Sequence, residues 1–144
     1  MTEKKLNSCW EHFHHGADIG VRGFGETVEQ AFEQVALAMT AVITDLDKIS
    51  PDTEIAITCD APDTELLLVD WLNAIIYEMS ARNMLFCQFE VNIDKNNLTG
   101  LLRGEKTRVN VHQPAVEVKG ATYTTLSVTH GADGKWIAQC VVDV

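Results

Sequence analysis

The sequence predicts an α+β fold: one domain whose mostly antiparallel sheet carries two helices packed on one face. Three observations predict it. Several stretches alternate apolar and polar residues with a period of two; only two long stretches repeat at helical spacing; and strand and helix patterns do not alternate regularly along the chain. The 144 residues are 46% hydrophobic and 22% charged, a globular composition long enough to bury one core. Residues 1–8 are expected to form a flexible N-terminal extension and residues 9–144 the domain.

The first elements are two short strands, Cys9 to Phe13 and Ile19 to Phe24, flanking a polar knot at His14-His15-Gly16-Ala17-Asp18. Thr27 and Gln30 then make a capping box, so a helix begins at Val28. Its apolar positions Val28, Ala31, Phe32, Val35, Ala36, Met39 and Val42 face the core, and Glu29, Gln30, Glu33 and Gln34 face water. Thr44 to Asp52 reads as a loop, and Ile55, Ile57 and Cys59 mark a half-buried strand. Asp63 is placed to cap a second helix, Thr64 to Arg82, with Asn83 as a left-handed stop. That helix is apolar around most of its circumference and is expected to be the most buried.

Met84 to Ile93 has strand periodicity, Asp94 to Asn97 turn composition, and Leu98 to Gly104 returns as the antiparallel partner. Glu105 to Pro114 has no period and reads as a loop or irregular edge. Val116 to Lys119 leads through Gly120 into a strand from Tyr123 to His130, and a turn at Gly131 to Gly134 opens the last strand, Trp136 to Val142. Repeats and low-complexity tracts are absent from the sequence.

A formal net charge of −10 disfavours a phosphate backbone as direct partner, so no nucleic-acid binding is expected; cations and basic protein surfaces suit it better. Met1 to Ser8 lacks the apolar stretch of a secretory signal, and no run elsewhere is long enough to span a membrane, which points to a cytoplasmic protein. Cys9, Cys59, Cys87 and Cys140 lack C-x-x-C spacing and read as strand thiols in a reducing compartment, not as zinc ligands or disulfides.

Candidate chemistry gathers at the two ends. Asp18 sits in the glycine-punctuated knot, where its structural role would be an Asx-turn or cap. Asp143 stands beside the terminal carboxylate of Val144. Joined, these groups would supply three anionic oxygen donors of the kind Ca²⁺, Mg²⁺ or Mn²⁺ requires, if the last strand runs beside the first loop. His15, nearest Asp18, is an additional candidate. His12 and His14 share the other face of an extended segment and read as surface and turn residues. His112 and His130 read as structural. The glycines of Gly20 to Gly25 precede a helix but lack the lysine and spacing of a phosphate loop, and read as strand and turn geometry. No nucleophile-base arrangement stands out.

Four ordered blocks, Trp10 to Gly25 (WEHFHHGADIGVRGFG), Thr27 to Gln34 (TVEQAFEQ), Val118 to Tyr123 (VKGATY) and Trp136 to Val144 (WIAQCVVDV), closely resemble the archease family, in register over nearly the whole chain. The resemblance implies an accessory protein, not an enzyme. Archeases assist the tRNA-splicing RNA ligase, which joins a 3′-phosphate end to a 5′-hydroxyl through a histidine–guanylate using Mn²⁺ and GTP; the accessory protein promotes guanylylation and multiple turnover. It further implies that the family's metal-binding aspartates fall on Asp18 and Asp143, that Val144 adds its carboxylate, and that the family's functional lysine falls on Lys119. Gly16 replaces the family's usual threonine and Gly120 its common alanine. Two other readings stand beside this one: a small metal-dependent phosphate hydrolase using the same acids, and a modulator or chaperone of an RNA-modifying enzyme.

Overall fold

The computed structural model describes residues 10–144; the readings made for residues 1–8 and for Cys9 lie outside them. Strands β1 (Trp10–His15) and β2 (Asp18–Gly25) form the opening hairpin, followed by helix α1 (Val28–Ile43), β3 (Thr53–Asp60), helix α2 (Thr64–Arg82), β4 (Met84–Asp94), β5 (Asn97–Lys106) and a short helix α3 (Val109–His112). Strands β6 (Gly120–Ala121), β7 (Ser127–His130) and β8 (Trp136–Asp143) complete the order. The α+β class is as expected, and every strand pairing is antiparallel. The single sheet is not. The strands divide into a five-stranded sheet, ordered β1-β2-β8-β6 with β7 also on β8, and a three-stranded sheet ordered β3-β5-β4. Each long helix touches both sheets, so the helix pair joins them.

Both helix starts obey their caps. Gln30 N–H donates to Thr27 Oγ1 at 3.1 Å, while the Gln30 side chain reaches back to accept from Glu26 N–H at 2.9 Å, closing the box one residue early. Leu66 N–H donates to Asp63 Oδ1 at 2.8 Å, and Asn83 ends α2 at φ +54°. Which helix is deeper differs from expectation. In α1, Ala31, Phe32, Val35, Ala36, Ala38 and Met39 are wholly buried, whereas α2 leaves Tyr77 67% exposed. The cause is that α1 lies directly on β2: a Cβ at Gly23 would overlap the backbone of Val35 and Ala31, and one at Gly25 the backbone of Ala31. These glycines therefore serve close helix–strand approach, not turn geometry. Trp71 of α2 fills the middle, its ring against Gly100 and its Nε1–H donating to the Phe32 carbonyl of α1 at 3.0 Å.

The structure departs from four further expectations. Glu33 does not face water: it is half-buried and accepts from Val91 N–H on the open edge of β4 at 2.8 Å, and burial raises its carboxyl pKa. The β4 alternation is interrupted by a bulge between Phe86 and Gln88, which lets Met84, Leu85 and Phe86 all be buried. Glu105 to Pro114 is no plain loop. Glu105 ends on β5 and is the hub of a buried polar network: its carboxylate accepts from Ser50 N–H at 2.9 Å and from His112 Nε2–H at 2.9 Å, with Arg108 on the other oxygen at 3.0 Å. His112 Nδ1 accepts from Arg108 N–H, which fixes the tautomer, and Thr44 Oγ1 donates to the His112 carbonyl. The strand expected from Tyr123 begins only at Ser127, because Thr125 turns the chain at φ +51°.

Two outcomes follow. Gly23→Ala should lower unfolding stability by about 3 kcal/mol or more in urea titrations, since the new methyl meets backbone that cannot step aside. The His112 hydrogen bond, then the Ser50 N–H, hold the Glu105 carboxyl below its ordinary 4.5. Its stabilisation is thus complete above the ordinary carboxylate range and fades as pH falls below about 4.5, so wild type and Glu105→Gln should differ in melting temperature at pH 7 and converge in acid.

Candidate functional site

The hairpin turn between β1 and β2 is only Gly16-Ala17, with Gly16 at φ +60°. Most of the expected knot is therefore strand. His14, His15 and Asp18 belong to the ladder, because backbone pairing along an exposed hairpin does not require apolar side chains. β2 then pairs with β8 from Ile19↔Val142 to Gly25↔Trp136, which runs the last strand beside the first loop.

This register decides what meets what. His15 pairs with Asp18 across β1 and β2, the β2–β8 register extended one step sets Asp18 opposite Asp143, and Asp143 pairs with Gly120 of β6. Paired residues in antiparallel strands point to the same face, so His15, Asp18 and Asp143 form one row across the sheet, neighbouring Cα atoms about 5 Å apart. Val144 N–H donates to Asp18 Oδ1 over a long 3.4 Å, which brings the last residue into the same corner. Lys119 N–H donates to the Asp143 carbonyl at 2.7 Å, and the Lys119 side chain is exposed. All five sequence-predicted site residues therefore stand together at one corner of the larger sheet.

The chemistry of the corner is set by its oxygens. Two carboxylates directly across a strand pair repel, an arrangement that costs stability in the absence of a counter-charge. Among the described residues, no three His, Cys, Asp or Glu side chains lie close enough together to hold a metal ion. A cation drawn to Asp18 and Asp143 would find the Val144 carboxylate as a third anionic donor. Such a set of hard oxygens fits Ca²⁺, Mg²⁺ or Mn²⁺.

The remaining candidates have structural partners. His12 Nε2 lies 2.7 Å from the Ala38 carbonyl, and His130 stacks on Trp136 with its Nε2 at 3.0 Å from the Gly134 carbonyl. Cys59, Cys87 and Cys140 are free thiols; burial pushes Cys59 up to about 11, helped by Asp70 and Asp60, and Cys140 up to about 12. None is a ready thiolate. Asn73, which no sequence motif marks, is a further residue of the corner. From α2 it clamps the open edge of β6, its Oδ1 accepting from Ala121 N–H at 2.9 Å, and so steadies the strand that carries Gly120 and leads from Lys119. A lone amide within an otherwise apolar stretch of α2 was the available signal.

Beside Lys119 runs a cleft of about 450 Å³, walled by Ile76, Met79, Val116 and Val118. A second cleft of about 810 Å³ lies between α1 and the Leu46–Lys48 turn, reaching Trp10.

The Archease protein family (MTH1598/TM1083) model matches residues 10–144. The chain belongs to the archease family. Among archeases, that of Pyrococcus furiosus is 40% identical over 139 residues, covering 94% of this chain and 98% of the relative. That of Methanosarcina barkeri is 41% identical over 140 residues, covering 94% and 95%. The solution structure of protein 1598 of Methanobacterium thermoautotrophicum superposes with a TM-score of 0.82 at 29% identity, over 95% of this chain and 99% of that one. The crystal structure of a Thermotoga maritima archease, described as a possible chaperone, superposes with a TM-score of 0.61 at 20% identity over 93% and 96%, and bears on the fold alone. An archease fold therefore underlies the corner, and no helix among the described residues is long and apolar enough to cross a membrane.

Replacing one member of the repelling pair should relieve it. Asp143→Asn in chelator-treated protein is expected to gain about 0.2–1 kcal/mol of stability, read as a small rise in urea midpoint, with the larger gain at low salt.

Proposed function

We propose that this chain is an accessory protein that activates an RNA-splicing ligase, the enzyme joining a 3′-phosphate end to a 5′-hydroxyl, by promoting its guanylylation and multiple turnover. Family membership supports the reading. The observation that carries it is the cross-strand meeting of Asp18 and Asp143 beside Val144, an acidic corner that no packing demand requires.

In this reading Asp18, Asp143 and the Val144 carboxylate hold a divalent cation, Ca²⁺, Mg²⁺ or Mn²⁺. When bound, such an ion supplies a Lewis-acidic centre that phosphate oxygens can join. The chain's own residues do the rest. The β2–β8 ladder fixes the two aspartates, the Gly16-Ala17 turn keeps the corner open to a large partner, and Lys119, tied through its backbone to Asp143, contacts nucleotide or ligase. A protein of net charge −10 suits a basic protein surface better than RNA, so the chain acts on the enzyme and not on its substrate. It joins no RNA itself and works where that ligase works, in the cytoplasm. The net charge of −10 is also consistent with a second reading, in which the chain is a modulator or chaperone of an RNA-modifying enzyme.

Two measurements separate these readings. Guanylylation of the ligase by GTP and Mn²⁺ should accelerate with wild type and lose that stimulation with folded Asp18→Ala and Asp143→Ala; a wild type without effect would end the activator reading. Separately, Mn²⁺ or Ca²⁺ at roughly a hundred times Kd should stabilise wild type by about 2.7 kcal/mol in thermal melts, and Asp18→Asn should abolish the shift. An unchanged shift in that variant would remove the cation from this corner.

A further inference from the structure

The two faces of the larger sheet are unlike. One is closed by α1: Val21, Ala138, Cys140 and Val142 are wholly buried there, and α1 rests on Gly23 and Gly25. Alternation along the strands sends the other set outward: Glu11, Phe13 and His15 of β1, Asp18, Gly20 and Arg22 of β2, Gln139, Val141 and Asp143 of β8, and Thr129 of β7. Among the described residues α1 covers the first face, and α2 meets this sheet along its β6 and β7 edge. Asp18 and Asp143 project from it, so whatever addresses them approaches over it.

The face is also built like the middle of an interface. The Phe13 ring extends over Gly20, which leaves it room by having no Cβ, and the Arg22 guanidinium lies 4.4 Å from the ring centroid. Arg22 is held in turn by Glu11 and by Gln139 Oε1 at 2.8 Å. Phe13, Phe24 and Ile137 are each half-buried, so they offer apolar surface already fixed in place. Ordered aromatic and arginine side chains with little entropy left to lose are what binding surfaces concentrate. The rim adds charge: Glu11, Asp18 and Asp143 face outward against the single guanidinium of Arg22.

We propose that the face of the five-stranded sheet turned away from α1 is the surface on which the protein partner docks, and that the partner presents basic side chains to it. The inference rests on the activator reading and adds to it the side of the molecule used. The partner's apolar centre covers the Phe13–Arg22 stack, and its lysines or arginines meet the outward Glu11 at the rim, leaving Asp18 and Asp143 to the cation. The clefts are then bystanders.

The second sheet supplies matched controls. Glu54 pairs with Arg103 on its outward face as Glu11 pairs with Arg22, with similar side-chain exposure of 52% and 49%, and Thr99 is exposed there as Thr129 is on the first sheet. The experiment is titration of fluorescently labelled protein with the RNA-splicing ligase, alongside the guanylylation assay, after circular dichroism has verified each variant's fold. Glu11→Lys and Thr129→Lys should each raise Kd at least tenfold, while Glu54→Lys and Thr99→Lys change it less than twofold. Equal losses from both pairs, or a loss confined to Val116→Lys in the cleft, would overturn the docking face and leave the activator reading intact. Sheet-specific losses of binding without any stimulation of guanylylation would retain the face and end the activator reading. No binding by wild type would end both.

Discussion

Everything at the corner depends on the antiparallel ladder between β2 and β8. It closes a loop of more than a hundred residues, since Val144 and Asp18 are 126 positions apart. Closing so long a chain costs about 4 kcal/mol plus a constant. The ladder survives because it is also the floor of the core: Val21 and Val142, both wholly buried, together return about 3–6 kcal/mol. The geometry of the corner is thus a by-product of burial. What holds Asp18 opposite Asp143 is the apolar face on the far side of the same strands.

That coupling explains the glycines. α1 must lie close enough to cover Val21 and Val142, and Gly23 and Gly25 allow the approach. On the opposite face Gly20 seats the Phe13 ring instead. Two glycines on one side of β2 and one on the other therefore serve the two faces separately, one for the core and one for the surface.

Rigidity at the corner is unequal. β2 and β8 are internal strands backed by α1, so the aspartates are well anchored. β6 has only two residues and would be an open edge without Asn73, yet it leads directly from Lys119. The lysine is therefore the member of the set best able to follow a partner, while the aspartates stay where the ladder puts them. The Glu105–His112 network at the other end of the fold has no part in this; it ties the chain after β5 to the loop before β3.

By itself the sequence determined the α+β class and both long helices with their caps, because each is written in local terms: period, capping residues, turn composition. Likeness of four blocks to a known family added Lys119, which no local pattern marks. Tertiary structure alone decided the rest. Two sheets instead of one, α1 as the deeper helix, the bulge in β4, and Glu33 turned inward all depend on what packs against each element, and period cannot report a partner. The same holds for the site. Asp18 and Asp143 were legible as candidates, but their meeting, the face they share, and the place of Asn73 beneath β6 come from the β1-β2-β8-β6 order. Strand order is a property of which distant surfaces bury one another, and only the folded chain contains it.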